Sequence, residues 1–425
     1  MNATSRRHFL KTGVGLAVGS SSVLSAASFA FSTAPVPQLD KLQPITRNAR
    51  WITSAERSSR RQKLRQHMAR QGHDAVLIEP SSSMEYFTGV KWWISERITA
   101  VIIPAEGALM FVTPAFEKSR LKELLDISAD IITWEEDEDP FSLIAAWLKQ
   151  RGLEKSTIAL DESVRHFVAY QLKSTTPKLT VSSARTEINA CRMIKSSAEI
   201  ALMQLANDVT IQAYRAVFPL IKRGMKRDNI ISLMYQAQSR LGGMNPAGGA
   251  QIGKGSALPH GSTVPESVEP GAMVLMDFGC TVGGYRSDIS RTFVFGKASD
   301  AQKKLWQHVH QGQNIAFEAA QPGRPAREVD IAVRKYYEKL GYGPDYRLPG
   351  LSHRTGHGIG LDIHEPINFV RNETMPLRAG MCLSNEPGLY WPGKYGVRLE
   401  DCLYITEDGP RWFSTPPASL EEPMA

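Results

Sequence analysis

The chain has 425 residues, of which 42% are hydrophobic and 22% charged, as in an ordinary globular protein of two or three domains. Its net charge of +7 falls to +4 without residues 1–30, because that segment contains three basic residues and no acids. A weak and scattered positive charge of this kind argues against nucleic-acid binding. The four cysteines show no Cys-x-x-Cys spacing, and we expect them to be free thiols.

The first thirty residues resemble a signal for export by the twin-arginine route. Residues 5–11 read SRRHFLK, a mildly apolar run follows over residues 12–29, and residues 28–30 are suitable for a signal peptidase. The run contains too many glycines and serines for a stable membrane span. We therefore expect a periplasmic or otherwise exported protein with no membrane span after signal removal. Residues 31–50 are expected to form a flexible lead-in.

Residues 51–186 alternate between helix and strand patterns. Helices are predicted over residues 54–71, 116–125, 140–152 and 164–175, and a helix or turn begins at residues 84–89. Strands are predicted over residues 75–78, 99–104, 108–113, 131–134 and 157–160. The second and third strands are joined by Glu106-Gly107, which is typical of a hairpin. This alternation predicts an N-terminal α/β domain with a mixed sheet.

Residues 187–410 have a different order of elements. A capping box from Ser196 to Glu199 opens a long helix that is expected to close at Gly224. Two further helices are predicted over residues 301–320 and 327–340. The order of helix, hairpin, two helices and hairpin predicts an α+β domain with pseudo-twofold symmetry. Residues 411–425 carry little signal and are treated as a tail.

A short pattern occurs twice in the second domain. Residues 271–279 and 380–388 read GAMVLMDFG and GMCLSNEPG, and each is followed by a Gly-x-Arg-x-acid segment. The alignment places Asp277 on Glu386 and, with three extra residues in the second turn, Asp288 on Glu400. At about 4 Å and an effective dielectric of about 20, each contact between such acids costs about 4 kcal/mol. Two divalent cations would balance the four carboxylates.

Three histidines lie between the two acid pairs, at His353, His357 and His364. A lone histidine is usually structural, but this cluster and its position favour a metal ligand at His357. The glycines around His357 allow the backbone to approach closely. Carboxylates alone favour Mn, Mg or Ca, whereas an added imidazole favours Mn, Fe, Co or Zn.

With these motifs, the second domain resembles the pita-bread metallopeptidase family, which includes aminopeptidase P, prolidase, creatinase and methionine aminopeptidase. The first domain resembles the N-terminal domain of the aminopeptidase P, prolidase and creatinase branch, and the resemblance covers about residues 50–410. The family's five metal-ligand positions are all filled, by Asp277, Asp288, His357, Glu386 and Glu400. The segment Pro259-His260-Gly261 also matches.

The resemblance implies two divalent metal ions, with Mn²⁺ as the first choice and Zn, Co or Fe as alternatives. Asp277 and Asp288 would hold one ion, and His357 and Glu386 the other. Asp288 and Glu400 would bridge the two ions.

The implied reaction is peptide hydrolysis by a hydroxide shared between the two metals. Glu386 would act as general base, and His364 would stabilise the oxyanion of the tetrahedral intermediate. His260 would orient the substrate, and His353 would line the pocket. Arg398 would contribute to substrate binding and orient Glu400 from behind.

Some further roles are less specific. Arg286, the repeat partner of Arg398, is expected to be structural. The pair Trp92-Trp93 has two interpretations, as core packing or as an aromatic contribution to a partner's active site in a homodimer or higher homo-oligomer. The pair Tyr390-Trp391 could form a wall for proline or simply cover its hairpin.

The first domain favours small peptide substrates with proline in second position, because methionine aminopeptidases generally lack that domain. The sequence does not distinguish a dipeptidase from an aminopeptidase that acts on longer peptides. The alternatives are a creatinase-like amidinohydrolase, a sulfonium lyase and a non-catalytic peptide-binding module. All three typically lose or alter metal ligands, and the intact set of five disfavours them.

Overall fold

The computed structural model of the protein describes residues 36–424, so the predicted export signal lies outside the described residues. The first domain alternates helices and strands. Its helices are α1 (Ser54–Gln71), α2 (Ser82–Thr88), α3 (Lys118–Leu124), α4 (Pro140–Gln150), α5 (His166–Thr175) and α6 (Arg185–Arg192). Its strands are β1 (Ala75–Ile78), β2 (Ala100–Pro104), β3 (Leu109–Pro114), β4 (Ala129–Trp134), β5 (Thr157–Leu160) and β6 (Thr180–Ser183). Helix α6 packs against α1 and so extends the first domain past the predicted boundary at residue 186.

These strands form one sheet in the order β4-β3-β2-β1-β5-β6. The pairs β1–β2 and β2–β3 are antiparallel, whereas β3–β4, β1–β5 and β5–β6 are parallel. Val76 and Ile78 of the central strand join one core cluster, and Ala75 and Leu77 join another on the opposite face. Burial on both faces explains the continuous apolar run of β1. The predicted α/β domain with a mixed sheet is confirmed.

The second domain has two helix pairs and three sheets. Its helices are α7 (Ser197–Val217), α8 (Arg227–Arg240), α9 (Asp300–Ala319) and α10 (Arg327–Lys339). Its strands are β7 (Met244–Ile252), β8 (Met273–Val282), β9 (Tyr285–Arg286), β10 (Ile289–Val294), β11 (Gly356–Gly358), β12 (Glu365–Phe369), β13 (Cys382–Asn385), β14 (Gly388–Trp391), β15 (Tyr395–Arg398), β16 (Asp401–Thr406) and β17 (Gly409–Trp412). The main sheets have the orders β10-β8-β7 and β12-β11-β13-β16-β17.

The two halves of this domain repeat one arrangement. Helices α7 and α8 pack on β7 and β8, whereas α9 and α10 pack beside β13 and β12. Each half therefore contributes a helix pair and an antiparallel ribbon, as the predicted pseudo-twofold α+β domain requires. The core of the first half continues into the first domain, because Phe87 and Val101 join the same cluster as Leu202 and Phe278.

The long helix begins where the sequence predicts and ends earlier. The hydroxyl of Ser196 accepts from the backbone N–H of Glu199, whose carboxylate accepts from the backbone N–H of Ser196. The helix ends at Val217 rather than at Gly224, and residues Phe218–Leu220 form a 3-10 turn. Pro219 has no N–H to continue the helical ladder, which explains the early end.

Helix α6 and strand β6 have no counterpart among the predicted elements. Strand β6 reads TVSS and is an edge strand without apolar alternation. Helix α6 buries only Glu187, Ile188 and Cys191. Too few apolar residues recur in either segment to give a periodic signal.

The described part of the expected flexible lead-in lies on the second domain. Leu39 is fully buried, and the N–H of Ile45 donates to the carbonyl of Leu241 at 2.9 Å. Asp40 forms an ion pair with Arg240 at 2.6 Å. These contacts join distant parts of the chain, and local sequence patterns do not reveal them.

The C-terminal segment treated as a tail is also packed. Strand β17 pairs with β16, and the ring of Trp412 stacks on Phe317 with centroids 4.3 Å apart. Leu420 is buried in the core of the second half. Among residues 36–424 there is no helix with the length and hydropathy needed to cross a membrane. The four cysteines are free and buried, which confirms the expected thiols.

Candidate metal centre and active site

Two antiparallel ribbons supply the four carboxylates. The first ribbon, β8 to β10, carries Asp277 in β8 and Asp288 just before β10. The second ribbon, β13 to β16, carries Glu386 after β13 and Glu400 before β16. The ribbons meet at an antiparallel bridge between Ser290 and Glu400, with N-to-O distances of 3.2 and 3.1 Å. The expected meeting of two ribbons is therefore confirmed.

The two ribbons differ in register. In the first, Asp277 pairs with Ser290, so Asp288 lies two residues from the position opposite Asp277. In the second, the strand pairs on either side place Glu386 directly opposite Glu400. The sequence repeat therefore builds a cage whose two halves are not equivalent.

All candidate site residues line one cavity of about 510 Å³, namely Asp277, Asp288, His357, Glu386 and Glu400 together with His260, His353, His364 and Arg398. Ligand atoms of Asp288, His357 and Glu400 lie within 4.8 Å of one another. The Nε2 atom of His357 also lies 3.5 Å from Glu386 Oε1. The fifth predicted ligand, Asp277, is held differently, because its Oδ2 accepts from Arg398 at 2.6 Å.

His357 has the tautomer that a metal requires. Its Nδ1 lies 3.0 Å from the carbonyl oxygen of Gly358, and a carbonyl only accepts, so Nδ1 carries the proton. The bare Nε2 therefore faces Asp288 and Glu386, at 3.6 and 3.5 Å. Burial, with the charge of Arg354, lowers the pKa of His357 to about 3, which keeps the ring neutral. A neutral imidazole oriented by its other nitrogen is the usual metal-binding form.

Close backbone approach explains the glycines beside His357. A Cβ atom at Gly356 would lie 2.1 Å from the carbonyl oxygen of Ser384, and one at Gly358 would lie 2.4 Å from that of Pro366. Any side chain at either position would therefore push β11 away from its neighbours. This confirms the expectation that these glycines permit close packing.

The carboxylates of the cage lie in an environment that a cation would stabilise. Burial and the neighbouring acids raise the pKa values of Asp288 and Glu400 well above the usual range, and burial raises the pKa of Glu386 to about 7. Glu400 Oε2 accepts from the hydroxyl of Ser290 at 2.8 Å. Its Oε1 is buried without a hydrogen-bond partner among residues 36–424. Such an oxygen is costly, and a divalent cation would satisfy it.

The donor set fits divalent ions that accept both oxygen and nitrogen. Carboxylate oxygens with one imidazole nitrogen suit Mn, Fe, Co and Zn better than Mg or Ca. Asp288, His357 and Glu400 are placed closely enough to hold an ion, whereas the roles of Asp277 and Glu386 as ligands stay predictions. The assignment of each ligand to one ion or the other also stays a prediction.

Arg398 is a buried cation behind the cage. It donates to Asp277 Oδ2 at 2.6 Å, to the hydroxyl of Ser290 at 3.0 Å and to the hydroxyl of Tyr390 at 3.2 Å. Its Nε lies 4.0 Å from Glu400 Oε2, so it reaches that carboxylate chiefly through Ser290. Arg398 thus orients Asp277 directly and Glu400 through a shared hydroxyl.

His353 lines the cavity, and Tyr390 lies behind it, bonded to His353 and Arg398. His353 Nδ1 lies 2.7 Å from the carbonyl oxygen of Arg354, so Nε2 is free to accept from the Tyr390 hydroxyl, 2.8 Å away. Burial lowers the pKa of His353 to about 3, and the ring is neutral. Tyr390 is 1% exposed, whereas Trp391 is 38% exposed. Of that pair, only Tyr390 contacts the site residues.

His364 and His260 stand at the open side of the cavity, and both are exposed. The ring of His364 meets that of His357 edge to face, with centroids 4.5 Å apart. Burial of part of the ring and the charge of Arg354 lower the pKa of His364, which favours a neutral N–H donor. His260 follows Pro259, whose carbonyl oxygen accepts from Arg398 at 3.0 Å and ties this loop to the site.

Two site residues have no predicted role. Arg354 lines the cavity, with its Nε 3.9 Å from Glu386 Oε1 and its NH1 donating to Asn368 at 2.8 Å. Its position between His353 and His357 in the sequence could have identified it as a site residue. Ser290 links both ribbons and Arg398, and its only signal was its place two residues after Asp288.

The remaining sequence predictions concern neighbouring residues. Arg286 donates through Nε to the carbonyl oxygen of Leu361 at 3.1 Å, in keeping with a structural role. Trp92 and Trp93 stack with centroids 4.9 Å apart, and Trp93 is 45% exposed. The guanidinium of Arg120 lies 4.3 Å from the ring centre of Trp93. Core packing therefore does not account for Trp93.

The chain is similar to known peptidases over most of its length. Residues 201–407 match the model of metallopeptidase family M24, and residues 60–194 match the creatinase/prolidase N-terminal domain. The Xaa-Pro dipeptidase of Lactobacillus helveticus is 32% identical over 357 residues, which are 83% of this chain and 95% of that protein.

Solved structures show the same likeness. Dipeptidase PepE from Mycobacterium ulcerans has a TM-score of 0.80 at 28% identity, covering 87% of this chain and 98% of that one. The X-Pro aminopeptidase of Thermotoga maritima has a TM-score of 0.75 at 26% identity, covering 84% and 98%. The fold, the cage of carboxylates around a neutral histidine and these similarities agree. The chain belongs to metallopeptidase family M24, with a creatinase/prolidase N-terminal domain in front of its catalytic domain.

Proposed function

We propose that this protein is a dinuclear metal-dependent hydrolase that removes the N-terminal residue from peptides with proline in second position. One observation carries the proposal: the buried Glu400 Oε1 has no partner among residues 36–424 in a cavity whose other donors are acids and a neutral imidazole. The names of relatives, Xaa-Pro dipeptidase and X-Pro aminopeptidase, support the substrate class.

The chain's own residues would divide the work as follows. Two divalent ions would supply Lewis acidity and activation of water. Glu386, whose pKa of about 7 in the metal-free protein reflects burial, would accept a proton from the attacking water. His364 would donate a hydrogen bond to the oxyanion that develops on the scissile carbonyl. His260 would orient the peptide at the open side, and His353 would line the pocket beside it.

Hydrolysis of proline peptides tests this proposal. Purified mature protein loaded with Mn²⁺ is expected to cleave an Xaa-Pro dipeptide or an Xaa-Pro-Xaa tripeptide and release the first residue. The matched peptides with alanine in place of proline are expected to react at least about 10-fold more slowly, since a pocket built for one side chain discriminates by 10-fold or more. The ratio of dipeptide to tripeptide cleavage would decide between dipeptidase and aminopeptidase. Failure to cleave any proline peptide with both ions bound would contradict the proposal.

The proposal extends to export and to the metal. Residues 5–11 read SRRHFLK, the pattern of a twin-arginine signal, and that route carries folded proteins. A protein that folds in the cytoplasm would take up Mn²⁺ there and avoid competition from Zn and Cu, which bind more tightly. We expect about two Mn per chain in protein recovered from the periplasm. Two Zn per chain in fully active protein would contradict the choice of metal, and recovery only from the cytoplasm would contradict export.

A homodimer or higher homo-oligomer is part of the same proposal. The exposed Trp93, Ile94 and Phe116 lie in the first domain, with exposed fractions of 45%, 48% and 64%. Apolar side chains of this size favour a protein contact. A monomeric mass by light scattering at micromolar concentration would contradict the assembly.

A further inference from the structure

The loop that carries His364 is bound by the first domain. This loop, defined as residues 358–365 with the last residue of β11 and the first of β12 included, has an acid on each side of the histidine, Asp362 and Glu365. Arg192, the last residue of α6, donates through NH2 to Asp362 Oδ2 at 2.8 Å and to Glu365 Oε1 at 2.6 Å. One guanidinium from the first domain therefore holds both acids that flank the histidine.

A serine of α2 closes the same contact. The NH1 of Arg192 donates to the hydroxyl of Ser82 at 2.9 Å and to that of Ser83 at 3.1 Å. The hydroxyl of Ser82 in turn donates to Asp362 Oδ2 at 2.5 Å. Arg192, Ser82 and Asp362 thus form a closed set of hydrogen bonds across the junction of the two domains.

The contact is ionic, and it is buried on the side of Glu365, whereas the side chain of Asp362 is 48% exposed. The side chains of Arg192 and Glu365 are 11% and 4% exposed. Lys195 donates to Glu365 Oε2 at 2.8 Å. Burial alone would raise the pKa of Glu365, but Lys195 and Arg192 outweigh it and lower that pKa to about 2. Charge-assisted bonds with little water around them are the strong ones, so the loop is held most firmly at Glu365.

Hydrogen bonds to the backbone of the loop fix the position of His364. Glu365 Oε1 also accepts from the backbone N–H of Asp362 at 3.2 Å and so closes a turn around the histidine. On the other side, the backbone N–H of Arg286 donates to the carbonyl oxygen of Gly360 at 2.9 Å. Within residues 36–424 the imidazole of His364 forms no hydrogen bond, and its ring contact is with His357. The position of the ring therefore depends on the backbone of this loop.

We infer that Arg192, together with Ser82, is a positioning residue through which the first domain sets the place of His364 in the active site. The inference rests on the proposed function, because His364 matters to turnover only if it serves the reaction. A displacement of about 1 Å at a reacting group is enough to cost about 100-fold in rate. The first domain would thus take part in catalysis as well as in substrate selection.

The test compares two buried arginines that both cross the domain junction. Arg192→Met is expected to lower kcat for an Xaa-Pro peptide by at least about 10-fold with KM within about 2-fold, since positioning errors act on the transition state. The matched control is Arg60→Met. Arg60 is similarly buried and donates to Tyr285 of the second domain at 2.9 Å, but among the described residues it bonds none in 358–365. We expect this control to lower the melting temperature while kcat stays within about 2-fold.

Milder variants guard against a general loss of folding. Ser82→Ala removes only the hydroxyl and is expected to lower kcat in the same direction, and Arg192→Lys is expected to restore part of the loss. Hydrogen exchange of residues 358–369 is expected to speed up in Arg192→Met and not in Arg60→Met.

These measurements separate the possible failures. Unchanged exchange of residues 358–369, or kcat within about 2-fold of wild type in both Arg192→Met and Ser82→Ala, would overturn the inference while the peptidase proposal stands. A wild-type protein that cleaves no proline peptide would overturn the proposed function. In that case hydrogen exchange still decides whether Arg192 holds the loop.

Discussion

Replacing Glu386 with glutamine is expected to lower kcat for an Xaa-Pro peptide by about 1000-fold, within the range that general-base catalysis contributes. Glutamine has nearly the same shape, but its amide cannot take up a proton from the attacking water. The Glu386 side chain is only 13% exposed, and this burial raises its pKa to about 7 in the metal-free protein. Steady-state kinetics of fully loaded protein measures the effect.

Loss of a metal ion would also lower activity, and two controls separate it from loss of the base. Metal content of the Glu386→Gln variant shows whether both sites remain filled. His364→Ala removes no predicted ligand, so it is expected to keep both ions and still lose most of its turnover. Glu407→Gln, at an exposed turn between β16 and β17, is the matched surface control and should behave as wild type. Retained turnover in Glu386→Gln with both ions bound would reject the role of this residue as base.

The carboxylate cage could be predicted because its residues are fixed by local sequence. A ribbon of two strands is a short-range structure, so the repeated acid and Gly-x-Arg-x-acid segments place Asp277 near Asp288 and Glu386 near Glu400. The histidine cluster between the two acid patterns then identified His357 as the nitrogen ligand. The structure adds the register, in which Glu386 and Glu400 oppose each other while the first two acids are offset.

Contacts between distant parts of the chain could not be predicted in the same way. Arg192 lies 170 residues before Asp362, and no local pattern relates the two. Ser290 reaches Glu400 across 110 residues, and its hydroxyl looks ordinary in the sequence. Helix α6 itself was not predicted, because its eight residues bury only three side chains. These features depend on how the elements pack, which spacing alone does not determine.

The carboxylates of the cage differ in how much they depend on a metal ion. Asp277 on the first ribbon is neutralised by Arg398 at 2.6 Å, so one corner of the cage already has a protein cation. Asp288 and Glu400 have raised pKa values, and both lie near His357. These corners therefore depend most on an added cation. Removing the metals is therefore expected to destabilise the site chiefly at Asp288 and Glu400.

Metal-stripped protein is expected to lose stability as the pH rises above about 6.5, whereas loaded protein is not. In the stripped protein the folded state keeps protons on Glu386 up to a pKa of about 7, and on Asp288 and Glu400 to a pKa well above the usual range, while the unfolded chain releases them near pH 4. The folded state thus binds more protons than the unfolded state, and stability falls with rising pH.

The histidines determine the pH above which the stability of the stripped protein is expected to fall. Burial lowers the pKa values of His353 and His357 to about 3, so these rings favour the folded state increasingly as the pH rises to about 6.5 and oppose the carboxylate effect there. Well above pH 6.5 they are neutral in both states. The carboxylates then dominate the pH dependence that the site contributes.

Loaded protein should show the opposite trend, because a metal binds the deprotonated acids and its affinity rises with pH. A free metal concentration 100 times the dissociation constant adds about 2.7 kcal/mol to the free energy of unfolding. The gap in stability between loaded and stripped protein is therefore expected to widen from pH 6.5 to pH 8. Denaturant unfolding in buffers with Mn²⁺ or with a chelator measures this gap.

The stripped Glu386→Gln variant removes one titrating carboxylate and also the repulsion that its charge exerts on Asp288 and Glu400. Since the wild-type pKa rises from 4.5 to about 7, ionising Glu386 in the folded state costs on the order of 3 kcal/mol relative to the unfolded chain. The variant is therefore expected to be more stable than stripped wild type at pH 8 and to show a shallower fall with pH, although it would be a far poorer enzyme. An equal slope in the two stripped proteins would mean that Glu386 is solvated well enough to ionise freely, and the cation requirement would then rest on Asp288 and Glu400 alone.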